Sequence, residues 1–430
     1  MKETIGIGLL GLGVVGGGVA KALRGKGETI ARQAGSRLEI KGILERDPAK
    51  GPRLNIEPEL LTTEAQKIIN NPEIDIVIEA LGGESPAWEY IRDAMLTGKH
   101  VVTANKEVMA KHGVELLTLA AEHEVNLLYE ASVGGGIPLI SPLKQDLLAN
   151  DISAIYAIIN GTTNYILTRM GKEGLDFATA MKQAQELGYA EADPSNDVNG
   201  TDAAYKLAIL ATLAFHVEVR PEDVYYEGIS RLAPRDFRYA QELGYAIKLL
   251  AIAKKEEQSL QVRVHPVFLP EDILLAKVDG VFNAVQIEGD LIGKVLFYGE
   301  GAGALPTSSA IIADVIYLAQ SINLGLSPSL ELWLDPNKIV KPVSEIETRY
   351  YLRMTVADRP GVLAQIAQTL GEHLISISSV IQKETDRLAQ TAEIVIMTHP
   401  AREAAVQKAL NEMAALDVVK EISNFIRVED

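Results

Sequence analysis

The 430-residue sequence contains no cysteine, which excludes disulfide bonds, thiolate metal sites and a cysteine nucleophile. Enzymes that oxidise an aldehyde to an acyl phosphate through a thioester are therefore excluded. The seven histidines are scattered without a paired motif such as HExxH, so we do not expect a zinc site. No apolar run approaches the roughly 18 residues of a membrane span. Basic residues are too few to offset the acidic ones, and the net charge of −17 argues against nucleic-acid binding.

The remaining composition is typical of a soluble globular protein, with 47% hydrophobic and 23% charged residues. The length allows roughly three domains. The first residues, MKETIGIGLLG, lead directly into a strand pattern without a separate signal peptide. We therefore expect a cytoplasmic protein that has no membrane partner.

A short apolar run, Thr4 to Leu10, ends in a glycine-rich turn that is followed by a helical pattern. Glycines at this spacing let the backbone approach a pyrophosphate, whose charge is met by the N–H groups at the helix start. The motif alone is weak, and a glycine turn without a ligand is an equally good interpretation. The turn consists of Gly11, Leu12, Gly13, Val14, Val15 and Gly16.

Apolar runs and helical patterns alternate after this turn, which predicts a parallel, doubly wound sheet of the Rossmann type. The second run ends in Glu45 and Arg46. An acid there would bind the ribose hydroxyls of NAD, whereas a basic residue would accept the 2′-phosphate of NADP, so the preferred cofactor stays open. An exposed Glu-Arg pair in a loop is the alternative. The predicted strands are Leu38–Leu44, Ile74–Leu81, His100–Thr103 and Val125–Tyr129.

The stretch from Ala184 to Lys206 concentrates carboxylates around glycines and a proline before an apolar helix. The helical pattern starts near Asn199 or Thr201 and predicts Asp202 and Lys206 one turn apart on one face. The remaining positions are mostly Ala and Leu, so we expect this helix to be buried. A buried ammonium needs partners, whereas the alternative is a solvated surface ion pair. The expected partners are the carboxylates of Asp202, Glu191, Asp193 and Asp197.

This stretch resembles the signature of the homoserine dehydrogenases. The match is long, and it agrees with motifs before and after it. The resemblance implies interconversion of L-aspartate 4-semialdehyde and L-homoserine with NADP or NAD, in the biosynthesis of threonine, methionine and isoleucine. The signature positions are filled by Ala184, Gly188, Tyr189, Asp193, Pro194, Asp197, Val198, Gly200, Asp202 and Lys206.

The resemblance also assigns roles to residues along the chain. It implies that Lys206 gives a proton, that Asp202 orients it, and that Lys106 adds positive charge. It places the substrate at Glu191, Asp197, Gly161 and Thr162. It places the cofactor at Gly11, Gly13, Val14, Val15, Gly16, Arg46, Asn105, Lys106, Gly301 and Gly303. It implies a monovalent cation, sodium or potassium, at the backbone oxygens of Glu130, Val133, Gly135 and Ile137.

Without the resemblance, each of these segments has a plainer interpretation. Lys106 at a helix start would be a solvated surface residue, because a cation there opposes the helix dipole. The glycines after Glu130 would be a flexible hinge without an ion. The turn that begins at Asn160 would be a helix start capped by Thr162 or Thr163.

The C-terminal pattern reads strand, helix, strand, strand, helix, strand. Its turn Asp358-Arg-Pro-Gly361, followed by VLAQIAQTL, resembles the ACT module, which often binds an amino acid at a dimer interface. The resemblance implies an effector, for which L-threonine is the first candidate, and a ferredoxin-like domain that only pairs subunits is the alternative. The effector residues would be Asp358, Gly361, Val362, Leu363, Ile375 and Ser376.

We therefore expect an α/β enzyme that forms at least a homodimer. Its expected segments are a Rossmann domain at 1–132, an α+β catalytic and dimerisation domain at 133–325, a linker at 326–347 and an ACT domain at 348–430. Removal of Tyr350–Asp430 should then leave an active enzyme that ignores threonine. The alternative functions are a non-catalytic regulator that binds a dinucleotide and an amino acid, and a dehydrogenase of another amino or hydroxy acid.

Overall fold

The computed structural model describes residues 2–47, 49–326, 332–386 and 388–429. The chain divides into two compact units. The first unit comprises Met1–Ala154, Tyr205–Glu222 and Asn283–Lys338, and the second comprises Ile155–Ala204, Asp223–Phe282 and Ile339–Asp430. Residues 327–331 of the predicted linker lie outside the described residues.

Strands and helices alternate in the first part of the chain, as the apolar runs predict. The elements are β1 Thr4–Leu10, α1 Val14–Gly25, α2 Gly27–Ala34, β2 Arg37–Leu44, α3 Lys50–Arg53, β3 Leu61–Thr62, α4 Ala65–Ile69, β4 Ile76–Glu79, α5 Ala87–Leu96, β5 His100–Thr103, α6 Lys106–Glu122, β6 Leu127–Leu128 and α7 Ile140–Lys144.

The six strands form one parallel sheet in the order β3-β2-β1-β4-β5-β6. This doubly wound order confirms the predicted Rossmann-type sheet. The centre of the sheet is apolar, with Ile5, Ile7 and Leu9 of β1 wholly buried. The chain order reverses between β1 and β4, so a crevice opens at their carboxyl ends, where ligands bind in such sheets.

The middle of the chain mixes longer strands with helices. Its elements are β7 Ile152–Ile158, α8 Gly161–Glu173, α9 Phe177–Glu186, α10 Ser195–Val198, α11 Thr201–Phe215, β8 Tyr225–Tyr226, α12 Pro234–Glu242, β9 Tyr245–Glu256, β10 Ser259–Pro270, β11 Phe282–Gly289, β12 Gly293–Glu300, α13 Ala304–Leu324 and β13 Ile339–Val340.

Helix α13 is long and apolar enough to cross a membrane, by length and composition alone. The sequence shows no such apolar run because Pro306, Ser308 and Asp314 interrupt it. One face of α13 joins the core of the first unit, where Ile311 and Val315 are wholly buried. A helix that contributes to a protein core passes the same test as a membrane span, so we assign α13 to the core.

The C-terminal elements confirm the predicted βαββαβ order, with two short strands in addition. They are β14 Glu347–Ala357, α14 Val362–Glu372, β15 Ile377–Ile381, β16 Thr385–Asp386, β17 Thr391–Thr398, β18 Ala401–Arg402, α15 Glu403–Ala414 and β19 Val419–Val428. The second main strand begins at Ile377, shortly after Leu374, which adopts a φ of 60° and is 92% exposed.

The large mixed sheet of the second unit runs β9-β10-β19-β14-β17-β15. Strand β10 is antiparallel to β9 and parallel to β19, where Val267 and Phe268 pair with Arg427 and Val428. Strand β19 is in turn antiparallel to β14. The last strand of the C-terminal module therefore joins it to β10, so the module continues the sheet. We accordingly revise the expectation that Tyr350–Asp430 can be removed without loss of activity.

Candidate active site

The glycine-rich turn follows β1 at the crevice of the parallel sheet. Gly11 has a φ of 103°, and an ideal Cβ on Gly16 would lie 2.0 Å from the Gly11 carbonyl oxygen, so a side chain at Gly16 would collide with the turn. An ideal Cβ on Gly13, by contrast, meets no atom within 4 Å. Gly13 is the N-cap of α1, and the following Val14 is 75% exposed. This open helix start fits a pyrophosphate.

Next to this turn is a cavity of about 390 Å³, which fits part of a dinucleotide. The cavity lies at the carboxyl ends of the strands, as expected for this fold. Its lining comprises Gly11, Leu12, Gly13, Leu44, Glu45, Arg46, Lys50, Thr63, Ala80, Leu81, Gly82, Ser85, Pro86 and Tyr90.

Glu45 is buried and fixes the glycine turn. Its carboxylate accepts hydrogen bonds from the backbone N–H of Leu12 at 3.3 Å and of Asp47 at 2.9 Å, and from Lys50 Nζ at 3.0 Å. Burial disfavours the charged carboxylate, but the hydrogen bonds from Asp47 and Lys50 hold the pKa of Glu45 below its ordinary value. Arg46 is exposed at the rim. The two adjacent residues thus face different surroundings.

A polar network joins the carboxyl ends of β4 and β5. Thr103 Oγ1 donates to Glu79 Oε2 at 2.5 Å, and Asn105 Nδ2 donates to the Gly83 carbonyl oxygen at 2.7 Å. Asn105 Oδ1 caps α6 by accepting from the Val108 N–H at 3.1 Å. Burial raises the pKa of Glu79 despite its hydrogen bonds. The network fixes Asn105, and Lys106 follows as the half-buried first residue of α6.

The predicted cation loop is buried beside a second predicted cofactor loop of the same unit. Val133 and Ile137 are 0% and 3% exposed. An ideal Cβ on Gly135 would lie 2.6 Å from the carbonyl oxygen of Gly301, so these backbones touch. Gly303 lies two residues further along, as the N-cap of α13.

The side chain of Glu130 makes hydrogen bonds that do not involve the carbonyl oxygens predicted to bind the cation. Its carboxylate accepts from the N–H groups of Leu139, Ile140 and Ser141 at 2.6–2.9 Å, at the start of α7. Its own N–H donates to Asp314 Oδ2 at 3.0 Å, and burial raises the pKa of Asp314 to about 7. No cluster of three or more His, Cys, Asp or Glu side chains among the described residues could hold a metal ion. A cation in this loop would depend on carbonyl oxygens, which suit hard cations.

In the second unit, one amide side chain joins two of the predicted site carboxylates. Asn160 Nδ2 donates to Asp197 Oδ1 at 2.7 Å and to Asp202 Oδ2 at 2.9 Å. Asn160 Oδ1 accepts from the Thr163 N–H at 2.9 Å, so Asn160 caps α8 and the threonines do not. Thr162 Oγ1 donates to the Tyr189 carbonyl oxygen at 2.7 Å. Gly161 is the first residue of the same helix.

Helix α11 is buried along most of its length, as predicted, and carries Asp202 and Lys206 one turn apart. They are 2% and 9% exposed. In the loop before the helix, Glu191 and Asp193 are exposed, and Asp197 is half-buried. Asp193 Oδ1 accepts from the N–H of Ser195 at 3.1 Å and thus caps its own turn.

Three sequence comparisons agree with this arrangement. The model of the family "Homoserine dehydrogenase, NAD binding domain" matches residues 11–130, that of "Homoserine dehydrogenase" matches residues 138–316, and that of the "ACT domain" matches residues 350–418. A homoserine dehydrogenase of Synechocystis sp. is 46% identical over 436 residues, covering 99% of each chain. That of Bacillus subtilis is 39% identical over 427 residues, again covering 99% of each.

The chain belongs to the homoserine dehydrogenase family. A crystal structure of a homoserine dehydrogenase from Thiobacillus denitrificans superposes with a TM-score of 0.93, at 43% identity, covering 99% of this chain and 98% of that one. A hyperthermophilic archaeal homoserine dehydrogenase in complex with NADPH gives a TM-score of 0.64 at 29% identity, covering 76% and 99%. The protein is therefore an NAD(P)-dependent oxidoreductase acting on a CH–OH group, with an ACT domain at its C-terminal end.

Two residues of the polar networks described above were missed as candidate site residues from the sequence. Glu79 is the last residue of the otherwise apolar run IVIE. A carboxylate at the end of a predicted strand could have identified it as a candidate. Asn160 was noted only as part of a helix start, because nothing local shows that its amide reaches Asp197 and Asp202.

The predicted effector residues lie on the turn after β14 and on the segment before β15. Asp358 and Leu363 are exposed, and Gly361 is the N-cap of α14. Val362 and Ile375 are 4% and 3% exposed and join the module's core. The carbonyl oxygen of Ser376 accepts from the His399 N–H at 2.8 Å. The exposed members of the set, rather than these two apolar side chains, are available to a ligand.

Proposed function

We propose that this chain interconverts L-aspartate 4-semialdehyde and L-homoserine in the biosynthesis of threonine, methionine and isoleucine. The observation that carries the proposal is the burial of the acid Asp202 and the base Lys206 on helix α11, where they are 2% and 9% exposed. The Asn160 amide holds Asp202 beside Asp197. A sensor that only binds a dinucleotide has no use for a desolvated lysine next to fixed carboxylates.

The nicotinamide cofactor supplies the hydride when it is bound. Negative charge then develops on the aldehyde oxygen, which calls for a positioned cation that can also give a proton. We assign the proton to Lys206 Nζ and its orientation to Asp202, one turn earlier on α11. Glu191 and Asp197 hold the substrate amino group, beside Gly161 and Thr162. Lys106 adds positive charge for the substrate and the cofactor.

We further propose that the chain prefers NADP over NAD. Arg46 and Lys50 both line the cavity next to the glycine turn, where a 2′-phosphate would lie. Glu45, the residue that would favour NAD, already accepts from two backbone N–H groups and from Lys50. Gly11, Gly13, Val14, Val15 and Gly16 bind the pyrophosphate, whereas Asn105, Gly301 and Gly303 serve the nicotinamide end. A monovalent cation binds to the carbonyl oxygens of Glu130, Val133, Gly135 and Ile137.

The activity is tested with the purified chain, L-homoserine and either NADP or NAD, followed by the absorbance of the reduced nicotinamide. We expect reduction of NADP at lower cofactor concentration than NAD. Faster oxidation of another hydroxy amino acid than of homoserine would reject the proposed substrate.

We propose that the chain is a cytoplasmic homo-oligomer, at least a dimer, and that L-threonine inhibits it at the ACT domain. The exposed turn at Asp358 supports this, because backbone groups of such a turn can bind the charged ends of an amino acid. Threonine would act by favouring one arrangement of paired modules. Full-length enzyme is titrated with threonine beside an Asp358→Ala variant, for which we expect weaker inhibition. If threonine leaves the full-length enzyme unaffected, the regulatory proposal fails for this effector.

A further inference from the structure

Arg427, on the last strand of the chain, is the starting point of a chain of contacts within the second unit. Its side chain is 0% exposed. Inside the ACT domain it donates to Glu403 from Nε at 2.8 Å and from Nη2 at 2.7 Å. It also donates outside that domain, to Glu227 Oε1 at 3.0 Å and to the Tyr225 hydroxyl at 3.3 Å. One buried guanidinium therefore holds both the ACT domain and the segment after β8.

Tyr225 completes this link. Its hydroxyl donates to Glu227, and burial raises the pKa of Tyr225 to about 12, so the hydroxyl keeps its proton at neutral pH. The Glu227 carboxylate thus receives a hydrogen bond from the tyrosine and another from the guanidinium. Charge-assisted hydrogen bonds of this kind are stronger than neutral ones.

The backbone next to Glu227 fits tightly against the turn between Asp197 and Asp202. The Ile229 N–H donates to the Val198 carbonyl oxygen at 2.9 Å. An ideal Cβ on Gly228 would lie 2.3 Å from the same oxygen, so only glycine permits this approach. The other end of the segment is fixed to β10, because the Glu227 N–H donates to the Val264 carbonyl oxygen at 2.7 Å.

The turn held in this way sets the positions of two carboxylates. Asp197 and Asp202 lie on either side of the Asn160 amide, at 2.7 and 2.9 Å. Each amide hydrogen can serve one carboxylate, and hydrogen bonds weaken steeply when their geometry changes. A small shift of the 198–200 turn would therefore break one of these bonds and displace a carboxylate.

We propose that Arg427 and Glu227 are positioning residues, which hold the turn at 198–200 so that Asp197 and Asp202 are in place for the substrate. The inference rests on the proposed role of those carboxylates. It gives the last strand of the ACT domain a direct physical influence on the affinity for substrate. The glycine turn at Gly11–Gly16 belongs to the other unit and is not part of this chain of contacts. The effect should therefore appear in the KM for homoserine and not in the Kd for the cofactor.

The test compares Glu227→Ala and Glu227→Gln with a control at Tyr350, whose hydroxyl donates to Glu403 at 3.0 Å on the far side of Arg427. We expect Glu227→Ala to raise the KM for homoserine about 10-fold. The glutamine still accepts a hydrogen bond from Arg427, so Glu227→Gln should recover most of that loss. Tyr350→Phe removes a buried hydroxyl from the same network, but that hydroxyl donates to Glu403 and not to Glu227, so the KM should stay within about 2-fold of the parent. Cofactor Kd, measured by fluorescence, should be unchanged in all three.

The Asp197→Asn variant distinguishes failure of the positioning inference from failure of the proposed substrate site. If it raises the KM for homoserine but neither Glu227 variant does, the positioning inference is overturned and the substrate site stands. If Asp197→Asn leaves the KM unchanged, the proposed substrate site fails and the inference fails with it. Equal rises in Tyr350→Phe and Glu227→Ala would show a general loss of structure and would also overturn the inference. Should Glu227→Ala not fold, Tyr225→Phe takes its place, because it removes the hydroxyl that donates to Glu227, and its KM should exceed that of Glu227→Gln. Equal KM values in these two variants would then overturn the inference.

Discussion

Lys206 is 9% exposed on a helix whose other positions are mostly Ala and Leu. Desolvation of an ammonium group costs free energy. A lysine at this buried position is therefore explained by a catalytic role and not by a contribution to stability. We expect Lys206→Ala to lower kcat by about 100-fold to 10,000-fold, the usual range for a general acid. The proposed cofactor-binding residues lie elsewhere in the sequence, so NADP affinity should be nearly intact. The check is steady-state kinetics together with a cofactor titration.

Lys111 provides the matched control for this prediction. It is also a lysine of the first unit, and it is paired with Glu84 and Glu107 at 2.7 Å. We expect Lys111→Ala to leave kcat within about 2-fold, because partly exposed ion pairs contribute little. A Lys206→Ala enzyme that turns over as fast as Lys111→Ala would remove Lys206 from the mechanism.

Arg46 and Glu45 are neighbours in sequence, but the structure gives them different tasks. Arg46 is exposed at the rim of the cavity proposed for the cofactor, so Arg46→Ala should weaken NADP binding much more than NAD binding. Glu45 holds the N–H groups of Leu12 and Asp47, so Glu45→Gln should weaken both cofactors to a similar degree. Dissociation constants for the two cofactors decide between these outcomes. Equal losses of both cofactors in Arg46→Ala would place the 2′-phosphate elsewhere.

At the scale of elements, the strands that form apolar runs bounded by polar residues were predicted best. Strands β1 and β5 begin and end at the predicted residues, whereas the run at Val125–Tyr129 contains only the two-residue strand β6. Helix α13 begins at Ala304 and contains Pro306 in its first turn, where a proline is compatible with a helix. Contacts within the candidate site are less visible in the sequence. The local sequence at Asn160 indicates a cap, but its contacts with Asp197 and Asp202 depend on how the elements pack.

Glu79, where β4 ends, gives the fold a testable dependence on pH. Burial raises its pKa, so folding favours the protonated carboxyl. This contribution to stability is fully present below the pKa of the unfolded chain and is lost as pH rises through the higher folded value. A neutral amide lacks this dependence. We therefore expect the Tm of Glu79→Gln to rise relative to that of the parent between about pH 4.5 and pH 8, a range that begins just above the ordinary pKa of about 4.3.

Thermal melts of both proteins across this range test the sign. A constant difference in Tm would mean that Glu79 does not change protonation on folding. A difference that falls as pH rises would mean that its folded pKa lies below the ordinary value.

At the scale of the molecule, the sequence predicts the C-terminal module but not its connection to β10. The parallel pairing of Val267 and Phe268 with Arg427 and Val428 joins residues about 160 positions apart, and no periodicity reveals such a contact. The proline-bearing stretch near Pro336 and Pro342 indicates a linker, which suggested a separable module. Buried charge pairs between a helix and the sheet, such as Asp236 of α12 with Arg353 of β14 at 2.7 Å, are likewise visible only in the structure.

Removal of Tyr350–Asp430 should therefore unfold the second unit and should not simply release the enzyme from regulation. Asp236 is 0% exposed, and its carboxylate accepts from Tyr351, Arg353 and Asn424, all of which the truncation deletes. A buried charge that loses its partner costs about 3–5 kcal/mol, a large part of the stability of most domains. Strand β10 would also lose its pairing with β19. We expect truncated protein that is insoluble or lacks a cooperative melt, whereas full-length Asp358→Ala, altered only on the exposed turn, melts like the parent. A soluble, active truncated enzyme would show that the second unit is stable without the C-terminal strands, and it would also contradict the role of Arg427 in positioning the turn at 198–200.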